Sequence, residues 1–319
     1  PKHFRHSSPS PVWPTPQPAR SYTWWMPRHP PLVHFRSALP SPARFARLHT
    51  NGLHPQQHGM DISFLCVSTL WGRNCLKEEA EAKKPIIGVN EEGKKYTYDA
   101  KKVQEKLNNH DYTNDGKKVV FLTFDDGTSK TNTPEVLRIL KENNIKATFF
   151  LTGSNIENGG ETAKDLVRQE FNSGHAIANH SYSHDFKLLY PGRNLDMEAF
   201  KADYEKNDKL LKSILGENFT THVMRCPGGY MSWKNMDPLK DYLNENKIAS
   251  IDWNALNADA EGPKKNAQQL VDFAIKTAQG KEMVVLLMHD TYGKEETVKA
   301  LPSIIKYFKD NGYEFRTLV

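Results

Sequence analysis

Between residues 119 and 318 the hydrophobic pattern of the chain changes period again and again. Apolar or β-branched runs at 119–124, 147–151, 176–178, 222–224, 248–251, 283–288 and 313–318 predict buried strands, because a strand covered on both faces loses its apolar–polar alternation. Between these runs apolar residues recur at helical spacing, which predicts helices at 134–144, 162–172, 197–215, 265–279 and 298–310. Thr133 ahead of Pro134 and Glu135 reads as an N-cap; Gly174, Gly216, Gly280 and Gly312 read as stops. Strand and helix alternating about seven times predicts a parallel α/β sheet, either open or closed into a barrel. A short helix is expected near 100–107, inside a charged stretch, 77–117, that reads as a linker or an N-terminal extension.

The polar residues fall at the strand ends. Asp125, His180, Arg225, Asp252 and His289 each follow a different expected strand, and that end carries the active site of a β/α barrel. Asp125 and Asp126 close the first run. Neighbouring strand side chains point to opposite faces, so the two acids need not share a role. Two adjacent carboxylates also perturb one another unless a cation or donor separates them. His180 and His184 lie four residues apart, and on a helical turn they would share a face and grip one cation. Joined by a carboxylate from another strand end, they make a facial site suited to Zn²⁺, and also to Co²⁺, Ni²⁺ or Fe²⁺. No glycine-rich phosphate loop follows the first strand, so nucleotide binding has no support.

Composition changes the picture mainly at the N-terminus. The 319 residues carry a formal charge of +5 and only 38% apolar residues. Residues 1–59 hold no Asp or Glu, one Lys, six Arg, twelve of the nineteen prolines and seven of the thirteen histidines. The remainder is therefore at −2 (+5 − 7), so basicity does not argue for a nucleic-acid partner of the folded part. Residues 1–76 read as a disordered or leader-like segment. The apolar stretch 62–71 is too short to span a bilayer and resembles a secretion signal, or a lipoprotein signal ending near Cys75. Export to the cell surface or the exterior is the resulting expectation, with no spanning segment. Cys66, Cys75 and Cys226 form no disulfide framework.

Five stretches then occur in one order: Thr123-Phe124-Asp125-Asp126-Gly127, His180-Ser181-Tyr182-Ser183-His184, Arg225-Cys226-Pro227-Gly228-Gly229, Ser250-Ile251-Asp252-Trp253 and Leu287-Met288-His289. They resemble the five motifs of the NodB-type polysaccharide deacetylases, carbohydrate esterase family 4, and most of all the bacterial peptidoglycan N-acetylglucosamine deacetylases. The resemblance covers about 118–319 and implies a distorted (β/α) barrel as the catalytic domain. It implies a monomeric hydrolase that removes N-acetyl groups from a β-1,4-linked amino-sugar polymer. An acetylxylan O-deacetylase, a chitin-oligomer deacetylase and a carbohydrate-binding protein without turnover are the alternatives. It further implies Asp126, His180 and His184 as metal ligands, Asp125 as general base and Arg225 as its partner. His289 becomes the acid, held by Asp252, and Gly228 offers an oxyanion N–H. Trp253 and Leu287 would line the acetyl pocket. The chain departs from the pattern at Gly228, where many relatives carry an aromatic residue and Tyr230 is expected to supply the wall, and at Ala249, where an acid is usual. Cys226 reads as a packing residue.

Overall fold

The computed structural model describes residues 84–319. The leader, the apolar stretch 62–71, Cys66, Cys75 and the start of 77–117 lie outside the described residues. In chain order the main elements are α1 (Ala100–Asn108), β1 (Val119–Gly127), α2 (Thr133–Glu142), β2 (Thr148–Leu151), α3 (Gly153–Asn172) and β3 (Ala176–Asn179). They continue with α4 (Met197–Leu215), β4 (Val223–Met224), α5 (Asp237–Glu245), β5 (Ala249–Ser250), β6 (Ala255–Leu256), α6 (Ala267–Ala278), β7 (Met283–His289), α7 (Glu295–Asp310) and β8 (Glu314–Phe315). No described helix is long and apolar enough to cross a membrane.

The strands lie parallel in the order β5-β4-β3-β2-β1-β7-β6, with β8 on the start of β1. The two outermost strands, β5 and β6, are joined by only four residues, 251–254. In a flat sheet six strand spacings would part them by about 29 Å. Five links of chain reach at most about 18 Å. The sheet must therefore curl, giving the distorted barrel with one seam, and Asp252 and Trp253 sit in the connection that crosses it.

Curling sorts the side chains by strand parity. Val120, Leu122 and Phe124 face outward, packing with α2, α6 and α7 residues such as Val136, Leu270, Leu301 and Phe308. Val119 and Phe121 face inward with Phe150, Val223, Ile251 and Val285. The inward row continues to Thr123 and Asp125, so the barrel interior is apolar at one end and polar at the other. α1 supplies Ala100, Val103 and Leu107 to that inner cluster. The segment before the catalytic motifs is thus woven into the domain, and Ile86–Ile87 and Thr97–Tyr98 each pair with later strands.

Several local expectations change. Thr133 does not cap α2; the cap is Asn132, and the Thr133 hydroxyl accepts from the Ser129 N–H instead. α3 starts nine residues before the expected 162, because a first helical segment precedes Gly160, whose φ of 64° interrupts the helix just before the expected start. The run 313–318 divides into two short strands with different partners. α5 and the two-residue β6 were not anticipated from periodicity.

Candidate active site

β1 presents its two acids on the same side because it breaks its own alternation. Asp125 pairs with Phe150 and Gly127 with Leu151, leaving Asp126 as the extra residue of a bulge, at φ 64°. A bulge re-aims one side chain without ending the strand. Asp126 Oδ1 accepts from the Thr152 hydroxyl at 3.2 Å, and its backbone carbonyl accepts from Asn155.

His180 follows β3 directly, but the segment to His184 is a loop and not a helical turn: Ser181 has φ 67° and His184 has φ 52°. Its backbone is held from α4 and β3. Asp203 accepts the Tyr182 and Ser183 N–H groups, Asn179 accepts that of Ser181, and the Ser181 hydroxyl oxygen accepts that of His184. Asn207 donates to Asn179 and to the Leu151 carbonyl. His180 Nδ1–H donates to the Arg225 carbonyl at 2.8 Å, which leaves Nε2 as the free lone pair. That nitrogen lies 3.6 Å from Asp126 Oδ1 and 3.5 Å from Asp125 Oδ2; His184 Nε2 lies 3.6 Å from Asp126 Oδ1.

These separations are too long for hydrogen bonds, whereas two ligands of one tetrahedral ion stand roughly 3.4 Å apart. Asp126, His180 and His184 each offer an atom within 4.8 Å of the others, so the donor set fits a divalent cation. Burial drives the His180 pKa down and keeps the ring neutral, as a ligand must be. Burial alone would raise the Asp126 pKa, but the net shift is downward, helped by the charge on His289 and the hydrogen bond from the Thr152 hydroxyl.

Asp125 is clamped. Arg225, fully buried, donates from Nη1 to Asp125 Oδ1 at 2.6 Å and to the Thr123 hydroxyl at 3.0 Å, and from Nε to the Ile251 carbonyl at 2.8 Å. Its guanidinium carbon stacks 4.1 Å above the Phe150 ring and lies 5.6 Å from Trp253. A buried guanidinium needs this complete a set of acceptors.

His289 ends β7 directly beside Asp125 in the ladder, with Leu287 beside Thr123. Its partner is Asp259, not Asp252. Asp259 Oδ1 meets His289 Nδ1 at 2.7 Å, and Oδ2 accepts the His289 N–H at 2.9 Å and the Thr297 hydroxyl at 2.7 Å. Burial would lower the His289 pKa, but Asp259 reverses the sign and lifts it to about 9. The Asp252 carboxylate instead accepts the Tyr230 and Met231 N–H groups, so it props the loop after the third motif. Asp259 follows β6, and missing that strand hid the acid at its end.

Gly228 has φ 75°, and a β-carbon there would meet Trp233 at 3.1 Å and Phe186 at 3.4 Å. The aromatic wall near this glycine therefore comes from Phe186 and Trp233. Tyr230 does not supply it, since its hydroxyl turns away to the Met236 carbonyl. Gly229 N–H is taken by Cys226 and Tyr230 N–H by Asp252; among the described residues the Gly228 N–H has no acceptor. Cys226 is buried and packs in an apolar cluster, its thiol pushed up to about 12 by burial.

A curled parallel α/β sheet with an Asp/His/His cluster and an arginine-clamped acid at its strand ends defines a class, and the comparisons agree. The polysaccharide deacetylase family model matches residues 112–244. A peptidoglycan-N-acetylglucosamine deacetylase of Bacillus cereus is 33% identical over 202 residues, covering 62% of this chain and 68% of the relative. A CE4 esterase structure from Streptococcus mutans superposes with a TM-score of 0.67 at 34% identity, covering 75% of this chain and 99% of that one. A bifunctional xylanase/deacetylase of Pseudobutyrivibrio xylanivorans is 30% identical, over 66% of this chain and 31% of the relative. The chain belongs to the polysaccharide deacetylase family, carbohydrate esterase family 4, and is an enzyme acting on acetylated polysaccharide.

Proposed function

We propose that the enzyme removes N-acetyl groups from β-1,4-linked N-acetylglucosamine in peptidoglycan, outside the cytoplasm, with a divalent cation, Zn²⁺ above all, held by Asp126, His180 and His184. The observation that carries this reading is the grouping of the Arg225-clamped Asp125 beside the three donors, with His289 on the adjacent strand. A cation held there would supply Lewis acidity toward the attacking water and the acetyl carbonyl. Asp125 takes the proton of the attacking water, and Arg225 keeps its carboxylate ionised and aimed. His289, charged through Asp259, protonates the departing sugar nitrogen, while the Gly228 N–H faces the developing oxyanion. Leu287 and Trp253 border the space left for the acetyl methyl. Intact groups for both proton transfers argue against a protein that only binds carbohydrate.

The xylanase/deacetylase relative keeps acetylated xylan as the second reading. Acetate release from peptidoglycan, chitin oligomers and acetylated xylan, with and without chelator and added Zn²⁺, separates them. Chelator-sensitive release from peptidoglycan is expected; release from xylan alone overturns the substrate, and release from none overturns the activity. Asp125→Asn should lower kcat by about 10²–10⁴-fold, the usual worth of a general base.

A further inference from the structure

Directly after His289 comes Asp290, a wholly buried acid that neither proton transfer uses. A buried carboxyl is costly unless it is hydrogen-bonded, so its partners point to what it is for. They lie in the turn from β1 into α2. Asp290 Oδ2 accepts the Thr133 hydroxyl, and the Asp290 carbonyl accepts the Ser129 hydroxyl at 2.8 Å. The next carbonyl, that of Thr291, accepts from the Asn132 side-chain amide at 2.6 Å. Within the turn, Ser129 N–H donates to the Thr133 hydroxyl oxygen and Asn132 N–H to that of Ser129, both at 2.9 Å. Ser129, Asn132 and Thr133 are themselves buried.

The fit at Gly127 is closer still. A β-carbon there would stand 2.7 Å from Asp290 Oδ1, so the backbone directly after Asp126 lies against this carboxyl. Asp126 holds a φ of 64°, which a residue other than glycine keeps only where its surroundings over-determine it. The Thr152 hydroxyl and Asn155 hold Asp126 itself, while Asp290 holds the residues that follow it. Burial pushes the Asp290 pKa up to about 7, against the lowering effect of the Thr133 hydrogen bond. Hydrogen bonds and shape therefore make this contact, not a fixed charge. We propose that Asp290 is a positioning residue: it ties the end of β7 to the turn after β1, and so holds the bulge that aims Asp126 at the cation. The proposal rests on the cation site proposed above.

Titration calorimetry with Zn²⁺ on the wild type, Asp290→Ala, Asp290→Asn and Thr133→Val reads this role without turnover, and thermal melts of the cation-free proteins check folding. Asp290→Ala should bind Zn²⁺ about 10–100-fold more weakly, the usual cost of losing the outer support of a ligand. Thr133→Val keeps the outline of the side chain and removes the hydroxyl, so its affinity should fall about tenfold. Asp290→Asn keeps both the outline and an acceptor for Thr133, and should bind like the wild type. In acetate release the Asp290→Ala loss should fall on kcat and leave KM in place, since a wholly buried side chain does not reach the substrate. An Asp290→Ala protein that melts lower but binds Zn²⁺ like the wild type would make the residue a packing group only and overturn the role. An Asp290→Asn protein that loses as much as Asp290→Ala overturns it too. If Asp290→Ala does not fold, Thr133→Val decides, and unchanged affinity there is the overturning result. A wild type that takes up no Zn²⁺ removes the cation site itself, so that titration tells the two failures apart.

Discussion

Asp259 and Asp252 differ in what they hold. Asp259 grips both the ring and the backbone N–H of His289, whereas Asp252 grips two backbone N–H groups of a loop. Because the folded pKa of His289 is raised, the pair's stabilisation is complete below the imidazole's ordinary value near 6.5 and is lost as pH rises through about 9. Asp259→Asn should therefore move the alkaline limb of the kcat profile to lower pH, while Asp252→Asn should leave that limb in place and raise KM. An unmoved limb in Asp259→Asn would return His289 to another partner. Arg225→Lys keeps the charge but loses the fork that joins Asp125, Thr123 and the Ile251 carbonyl. Activity should fall at least tenfold with a lowered melting temperature, read by acetate release and calorimetry. At this scale the sequence was legible wherever chemistry sits in a short motif. The ligand types and both acids of β1 could be named from spacing and resemblance. The His289 partner could not, because its pairing crosses thirty residues and an unforeseen two-residue strand.

The second histidine of the proposed metal site depends on α4, an element remote in sequence. Phe200, Asp203, Tyr204, Asn207 and Leu211 are all buried on one face of that helix. Two polar residues on an otherwise apolar stripe were the signal that this face does more than pack. Asp203→Ala frees two loop N–H groups, so Zn²⁺ affinity should drop about 10–100-fold, as losing outer support of a ligand does. Titration calorimetry checks this without turnover, and unchanged affinity would show that the loop holds itself. The boundaries of α4 and α6 were readable because caps and periodicity are local, whereas the start of α3 and the whole of α5 were not. The segment 180–184 is a loop and not a turn of helix, since spacing alone cannot reveal the positive φ of Ser181 and His184.

Across the whole molecule, α1 closes the inner face of the sheet. Val103 is fully buried there, and Val103→Ala should cost roughly 2 kcal/mol, measured by denaturant unfolding. A cost near zero would mean that α1 is only an appendage. By itself the sequence determined the alternation of strand and helix, the strand ends on which the acids and imidazoles fall, and the family, because burial periodicity and short motifs are written along the chain. Only the tertiary structure decided that a bulge turns Asp126 beside Asp125, that Asp259 and not Asp252 serves His289, and that α1 packs into the inner cluster of the sheet. Those outcomes follow from curling, in which a four-residue connection draws the two outermost strands together. Curling sets distances between residues that no local pattern relates.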